Sequence, residues 1–412
     1  MAAIAIVDGY STGSALSRTL AERGVMCVHV RSAAEVSGYF AKTFRPGDYE
    51  IDLGFLADRA ELLERLRAIR VDQVVAGAES GVILADTLNH LLGLPGNEIA
   101  TVAARRDKSA MAAAVLAAGL AAPLGRACAS VDEAADWYAE AIAGPAVVKP
   151  LDSAGSDRVR FCRDVDQVRA ACAELLAARN LFGAPNHRIL VQEQLVGAEF
   201  YVNSVSCGGA HRVAEIWRYT KRPGPAGAPI YDYEEPVEPG SADAAPVREF
   251  AFAVLDALGV RSSAAHTEIM LTARGPVLIE SGARLGGATL PEVVAKLSGV
   301  SQTSLQAQSL VDPAAFNDFD DRTRRWSTTV RNVSLINPMP VGRQAGQWLA
   351  RLSQLPTAVA IAANCVPGAE LPQTVDLITS PGFVYLTAED ATEVERDYRT
   401  LRRWERHGLY GR

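Results

Sequence analysis

Residues 266–284 read HTEIMLTARGPVLIESGAR. Two apolar runs, HTEIMLT and PVLIE, flank Ala273-Arg274-Gly275, the pattern of a β-hairpin. Each strand carries one carboxylate among apolar neighbours, Glu268 on the first and Glu280 on the second. A charged side chain in such a strand is seldom buried unpaired, and two carboxylates side by side repel each other. A divalent cation between them resolves both costs, because hard cations such as Mg2+ take one or two carboxylates together with phosphate oxygens. Arg284, four residues beyond Glu280, offers a planar donor fork to the same phosphate. The rival reading is a solvent-facing hairpin edge, and the flanking Val277-Leu278-Ile279 counts against it.

Phosphate chemistry needs further cations, and two lysines upstream supply them. Lys149 ends the apolar strand AVVK (146–149), where an ammonium calls for an anion. Pro150-Leu151-Asp152-Ser153-Ala154-Gly155-Ser156-Asp157 follows, a small-residue loop whose N–H groups and hydroxyls suit phosphate oxygens. Lys108 opens a helix after Arg105-Arg106-Asp107. Alone, each lysine reads as a snorkelling surface residue and the loop as a turn. Residues 191–199, VQEQLVGAE, run from a strand into a polar linker that offers backbone groups to a purine edge and a carboxylate to ribose. Alone, this too is an ordinary strand–loop junction.

The first hundred residues alternate strand and helix. Strands at 3–8, 25–30 and 71–77 are separated by helical runs to Gly24 and at 58–70, and helix 80–92 stops at Gly93-Leu94-Pro95-Gly96. Such alternation means a parallel sheet covered on both faces. Residues 106–195 form a smaller α+β unit with helices at 107–118, 131–142 and 164–179. From 198 the signals turn antiparallel, with a hairpin around Gly208-Gly209. Residues 222–242, rich in Pro, Gly and acidic residues, are expected to form a covering loop, followed by helix 246–259. Strand-like runs and a charged helix at 389–405 complete the chain.

At 412 residues and 49% hydrophobic, the chain holds a sizeable core and several modules. A net charge of −7 argues against nonspecific nucleic-acid binding. No apolar run reaches the ~20 residues of a membrane span. The start MAAIAIVDGY lacks a basic segment and meets Asp8 too soon for a signal peptide. The six cysteines form no CxxC, which fits reduced thiols in a cytoplasmic protein. HExxH, GxxxxGK[ST] and GxGxxG are all missing. Gly9-Tyr10-Ser11-Thr12-Gly13 matches GxSxG, but it follows the first strand, before the strands a nucleophile elbow requires. It reads instead as a tight βα turn, with Ser11 or Ser14 able to face an anion.

In their order along roughly residues 1–310, these features resemble the ATP-grasp ligases. The resemblance implies an ATP-grasp fold of α/β and α+β class: an N-terminal parallel α/β domain (1–105), a lid subdomain (106–195) and a large subdomain with a C-terminal extension (196–412), the ATP-grasp core spanning about 106–311. It implies that Lys108 and Lys149 contact the ATP phosphates and that Ser153, Ala154, Gly155 and Ser156 cover them. Gln192 would face the adenine amino group, the backbone of Glu193 and Leu195 the adenine edge, and Glu199 the ribose. Glu268 and Glu280 would bind Mg2+, with Mn2+ as an alternative, and Arg284 would stabilise the transferring phosphoryl. Two positions depart from the family's pattern. Gly282 stands where Asn is usual, so that water or Ser281 completes the coordination or one metal position is weaker. Gln192 stands where an acidic residue is common.

The SAGSDRV loop, the HTE and ESGARLGG segments and GAESGV (77–82) fit the ligases that join amino acids into dipeptides. There Glu79 would meet a substrate ammonium, the rival being a carboxylate favoured at a helix N-terminus. Trp217, Arg218, Tyr219, Lys221 and Arg222 are either a substrate-carboxylate site or a solvated strand end. The expected function is ATP-dependent carboxylate–amine ligation through an acyl phosphate, with an amino acid among its small-molecule substrates and no nucleic-acid or membrane partner. Residues 311–412 close the pocket or form a homodimer surface. The alternatives are a biotin-carboxylase-like enzyme, a nucleotide-binding regulator with degraded chemistry, and a plain structural protein.

Overall fold

Every residue of AIAIV, β1 (Ala3–Val7), is buried, as a strand covered on both faces requires. The computed structural model describes residues 2–36, 38–153, 155, 157–225, 228–339, 341–343, 347–365 and 368–411. After β1 come α1 (Gly13–Ala21), β2 (Met26–Val30), α2 (Gly38–Ala41), β3 (Ile51–Asp52), α3 (Arg59–Ile69), β4 (Gln73–Ala76) and α4 (Val82–Leu92). The strands form a parallel sheet in the order β3-β2-β1-β4. Asp58 caps α3 by accepting from Ala60 N–H, and Arg70 ends it in the left-handed conformation.

The GYSTG segment is a packing device. A Cβ at Gly13 would stand 2.3 Å from the Gly77 carbonyl oxygen, so the turn after β1 can close over the end of β4 only without a side chain. Ser11 lies at φ 53° and donates its N–H to Thr43 Oγ1. Asp8 accepts from Ser32 and Ser80, which ties together the C-terminal ends of β1, β2 and β4.

The next elements are α5 (Lys108–Ala117), β5 (Gly125–Cys128), α6 (Val131–Ala141), β6 (Ala146–Pro150), β7 (Arg160–Cys162), α7 (Val165–Leu176) and β8 (Ile189–Glu193). Asp107 caps α5 by accepting from Ser109 and Ala110 N–H, which fixes Lys108 as the first helical residue. The strands form an antiparallel sheet ordered β5-β8-β6-β7. Its alternation sorts the side chains. Ala146, Val148, Ile189 and Val191 join a core that includes Ala134 of α6 and Leu175 of α7. Val147 opposite Gln192, and Lys149 opposite Leu190, occupy the other face.

The chain continues through β9 (Ala198–Cys207), β10 (Ala210–Pro223), β11 (Pro229–Pro236), α8 (Ala244–Ala257), β12 (Ala264–Thr272), β13 (Gly275–Gly282), α9 (Pro291–Ser298), α10 (Gln302–Val311) and α11 (Pro313–Asp318). The last third holds β14 (Thr329–Ser334), β15 (Val341–Arg343), α12 (Gln347–Leu352), β16 (Ala358–Ala363), β17 (Glu370–Pro372), β18 (Gly382–Ala388) and α13 (Ala391–Arg406). Two compact units result: residues 1–154, 158–216 and 239–324 in one, and 155–157, 217–238 and 325–412 in the other. In the first, the strand order is β13-β12-β9-β10, with α8 packed on β9, β12 and β13.

In the second unit, residues 217–223 of β10 are followed across the sheet by β11, β14, β18 and β16. Here the expectation of a loop over 222–242 is corrected, because residues 229–236 are strand β11. Its acidic content suggested solvent. Asp232 and Glu234 are instead buried, and Asp232 accepts from Arg402 of α13, itself enclosed and also bonded to Glu405. Trp217 is buried against Trp326 and Tyr385, and Lys221 lies over the rings of Tyr219 and Tyr231.

The close approach at Gly13 sets the first prediction. Gly13→Ala forces a methyl into backbone that has no rotamer to yield, at a cost of about 1–3 kcal/mol. A urea midpoint equal to the parent's would show that the turn has slack.

Candidate active site

Strand alternation gathers polar side chains onto one face of the sheet β13-β12-β9. Asn203 lies opposite His266, Tyr201 opposite Glu268, and Glu199 opposite Met270. On the other side of β12, Glu268 faces Glu280 and His266 faces Gly282. The register then slips, since Ile269 pairs with Leu278, which makes Ile279 the extra residue of a β-bulge. Leu278 and Ile279 both line one cavity.

Behind Glu268 lies a polar chain that sequence reading did not identify. His266 Nε2 is 3.5 Å from Glu268 Oε1, His266 Nδ1 is 2.8 Å from Asn203 Oδ1, and Asn203 Nδ2 donates to Glu215 Oε1 at 2.9 Å. Glu215 is buried, and burial pushes its carboxyl up, opposed by Arg324 and Asn203. Counting in twos from Glu199 reaches Tyr201 and Asn203, so the alternation of β9 carried the signal.

Both expected lysines converge here. Met111 of α5 packs on β13, with its Sδ 3.2 Å from Ser281 N, which brings the helix start to the hairpin. Lys108 Nζ donates to the Ser153 carbonyl at 2.8 Å and lies 3.4 Å from Glu280 Oε2. Lys149 is buried, and burial pulls its ammonium down to about 8, with Glu280 opposing that shift and Lys108 adding to it. Gln192 and Lys108 line a cavity of about 160 Å3 together with Met111, Pro123, Leu278 and Ile279. Glu193 donates its backbone N–H to Leu124 O, so a main-chain contact with a purine edge falls to its carbonyl. The Glu193 side chain accepts from Leu124 N and Arg274. Leu195 and Glu199 follow at intermediate exposure. Ser153 is buried and Gly155 has φ 68°, whereas Ala154 and Ser156 lie outside the described residues.

Glu79 has partners other than the ammonium expected of it. It opens the turn after β4 and is buried. Its Oε1 accepts from Arg106 Nη1 at 2.7 Å and its Oε2 from Arg284 Nε at 2.8 Å. Burial alone would raise its pKa, but Arg284 and Arg106 outweigh it and bring the carboxyl to about 2. Arg106 also donates to Asp152 and lies 5.0 Å from the centre of the Phe182 ring. In the sequence Arg106 was only a neighbour of Lys108, and no local pattern marks it.

The donor set fits a divalent cation held jointly with phosphate. Glu268 and Glu280 are direct cross-strand partners, with side chains 18% and 24% exposed, so neither points into bulk water. Among the described residues no three His, Cys, Asp or Glu side chains form a metal cage. A cation here therefore takes its remaining oxygens from elsewhere, as Mg2+ at phosphates does.

Comparison with known proteins agrees with this geometry. Residues 142–292 match the model of the ATP-grasp domain. The chain is 32% identical over 395 residues to dapdiamide A synthase from Enterobacter agglomerans, an alignment spanning 92% of this chain and 90% of that one. In fold it is similar to an L-amino acid ligase from Bacillus licheniformis, with TM-score 0.75 and 18% identity over 98% of this chain and 97% of that one. It is likewise similar to the ADP complex of N5-carboxyaminoimidazole synthetase from Staphylococcus aureus, with TM-score 0.70 and 10% identity over 98% of both chains.

Lys149 gives a prediction in pH. Its pKa falls from 10.5 in the free side chain to about 8. Between those values the unfolded chain holds more of this proton, so stability rises with pH there, and below about pH 8 the charged amine carries its full cost. That cost is on the order of 3 kcal/mol. Lys149→Met is expected to stabilise the fold at pH 7 by about 1–3 kcal/mol, the gain shrinking toward pH 10.5. A pH-independent difference in urea unfolding counts against this assignment.

Proposed function

The chain belongs to the ATP-grasp superfamily, among the ligases related to dapdiamide A synthase, and on that premise we propose that it couples ATP cleavage to amide-bond formation between a carboxylate and an amine, one of them an amino acid. The observation that carries this reading is the direct pairing of Glu268 with Glu280 on a face where Lys108 approaches Glu280 and Glu280 acts on Lys149.

A carboxylate is a poor electrophile, because its leaving group would be oxide. Transfer of the terminal phosphoryl of ATP to a carboxylate oxygen gives an acyl phosphate and ADP. The amine nitrogen then attacks the carbonyl carbon, the carbon–oxygen bond to phosphate breaks, and the nitrogen loses a proton. The products are an amide and phosphate. Little covalent work falls to the protein, which must position groups and neutralise charge. Lys108 and Lys149 serve the phosphates. A pair of unit charges 4 Å apart at an effective dielectric near 20 is worth about 4 kcal/mol.

Glu268 and Glu280 would hold Mg2+, with Mn2+ as a substitute, and the ion supplies charge neutralisation at phosphate oxygens when bound. Gln192, the Glu193 carbonyl and the Leu195 N–H recognise the adenine, Glu199 the ribose, and residues 153–156 cover the phosphates. Arg284 meets the transferring phosphoryl. The cover excludes water, which would hydrolyse the acyl phosphate. The N-terminal sheet (1–105), lid (106–195) and large subdomain (196–412) divide this work. No helix among the described residues is long and apolar enough to cross a membrane, and we place the reaction in the cytoplasm.

Phosphate release with Mg-ATP across a panel of amino acids and small acids, with mass spectrometry of the products, tests the reading. The expected product has the summed mass of two substrates less one water. Turnover that requires bicarbonate and biotin would show a carboxylase instead. Glu280→Gln and Arg284→Ala are each expected to lower turnover by about 100-fold or more in a folded protein. Parent rates in both variants remove the mechanism.

A further inference from the structure

Gly282 is a glycine with a neighbour in the way of any side chain. A Cβ built there would stand 2.6 Å from Glu79 Oε2 and 3.4 Å from the guanidinium carbon of Arg284. Residue 282 faces His266 across the sheet, two positions beyond Glu280. The space beside the paired glutamates is thus filled by a carboxylate arriving from the N-terminal sheet.

Glu79 is enclosed, and both its oxygens are engaged by guanidiniums. A substrate ammonium at Glu79 would share oxygens that these guanidiniums already hold. Arg284 Nη1 donates to the Leu285 carbonyl and Nε to Glu79. Two of its three nitrogens are therefore fixed, and the plane of the fork is set. Through Arg106 the same carboxylate reaches Asp152, immediately before Ser153. Glu79 is the joint between the start of the small-residue loop and the arginine beyond the hairpin.

We propose that Glu79 is a positioning residue for the ligation reaction, holding Arg284 in one orientation beside Glu280, and that position 282 is glycine because a side chain there would displace the Glu79 carboxylate. This rests on the ligase reading above. It explains the missing side chain at 282 as an exchange, in which room for a ligand on β13 is given to a carboxylate that orients a guanidinium.

The test adds one methyl group and changes no charge. Gly282→Ala is expected to lower kcat by about tenfold or more, since small misplacements of a positioned group cost on this scale. The affinity for MgADP, read by calorimetry, should stay within about threefold, and the melting temperature should hold, which separates positioning from a loss of fold. Glu79→Asp alone withdraws the carboxylate from Arg284 by about one carbon–carbon bond, ~1.5 Å, and should lower kcat with MgADP affinity retained. Glu79→Gln, which keeps the shape and removes the charge, should lower kcat with binding retained.

Parent kcat in Gly282→Ala overturns the proposal, as does a kcat loss matched by weaker MgADP binding and a lower melting temperature. If the parent chain releases no phosphate with any amino acid, the ligase reading has failed instead. The pairing itself is then decided by a crystal structure of Gly282→Ala, in which Glu79 must have left Arg284; an intact Glu79–Arg284 pair there refutes it.

Discussion

Two carboxylates face each other across one pair of strands, and much of the site is arranged around that repulsion. Glu268 and Glu280 are direct partners in the β12–β13 ladder, a placement that like charges disfavour. The protein compensates from different elements. Lys108 comes from the first turn of α5, at a position set by the Asp107 cap, and Lys149 from the end of β6. His266 stands beside Glu268 and is braced by Asn203 and Glu215. None of these groups is local in sequence to all the others. The fold is what brings the counter-charges to the hairpin.

That arrangement is unfavourable for stability at one point in particular. An enclosed lysine whose ammonium titrates near 8 is held in a state the interior resists, despite nearby carboxylates. Strain of this kind is ordinary where a site is built for an anion that arrives later. The contrast is Arg402 in the second unit, equally enclosed but bonded to Asp232, Glu405 and backbone carbonyls. There the pairing raises the pKa of the arginine, with Glu405 and Asp232 overcoming burial. One buried cation is stabilised beyond the cost of its burial; for the other, burial outweighs the nearby carboxylates.

The hairpin, the lysine-ended strand and the N-terminal alternation were legible in the sequence because each rests on a local pattern: period-two burial, a charge at the end of an apolar run, or turn residues at a strand mouth. Residues 229–236 were not. Asp232 satisfies Arg402 of α13, 170 positions away in the chain, and Glu235 pairs with Arg331 of β14, and nothing near them says so. Arg106 and Phe182 belong to the same class, as does the one-residue register slip at Ile279. The chain Glu215–Asn203–His266 lies between. Alternation from Glu199 and Glu268 points to its members, but their hydrogen bonds depend on the pairing of β9 with β12.

Gly282 departs from the family's pattern, and its surroundings decide what that departure means. Read along the strand, a glycine in place of an amide is a lost ligand and suggests decayed chemistry. Read across the structure, the same position touches a carboxylate that two arginines hold in a charged, enclosed state. A buried ionic triad gives little net stability, because desolvation offsets much of its attraction. Its presence is better explained by the orientation it imposes on Arg284. On this account the glycine of β13 and the glutamate of the turn after β4 are one feature, and each makes sense only in the presence of the other.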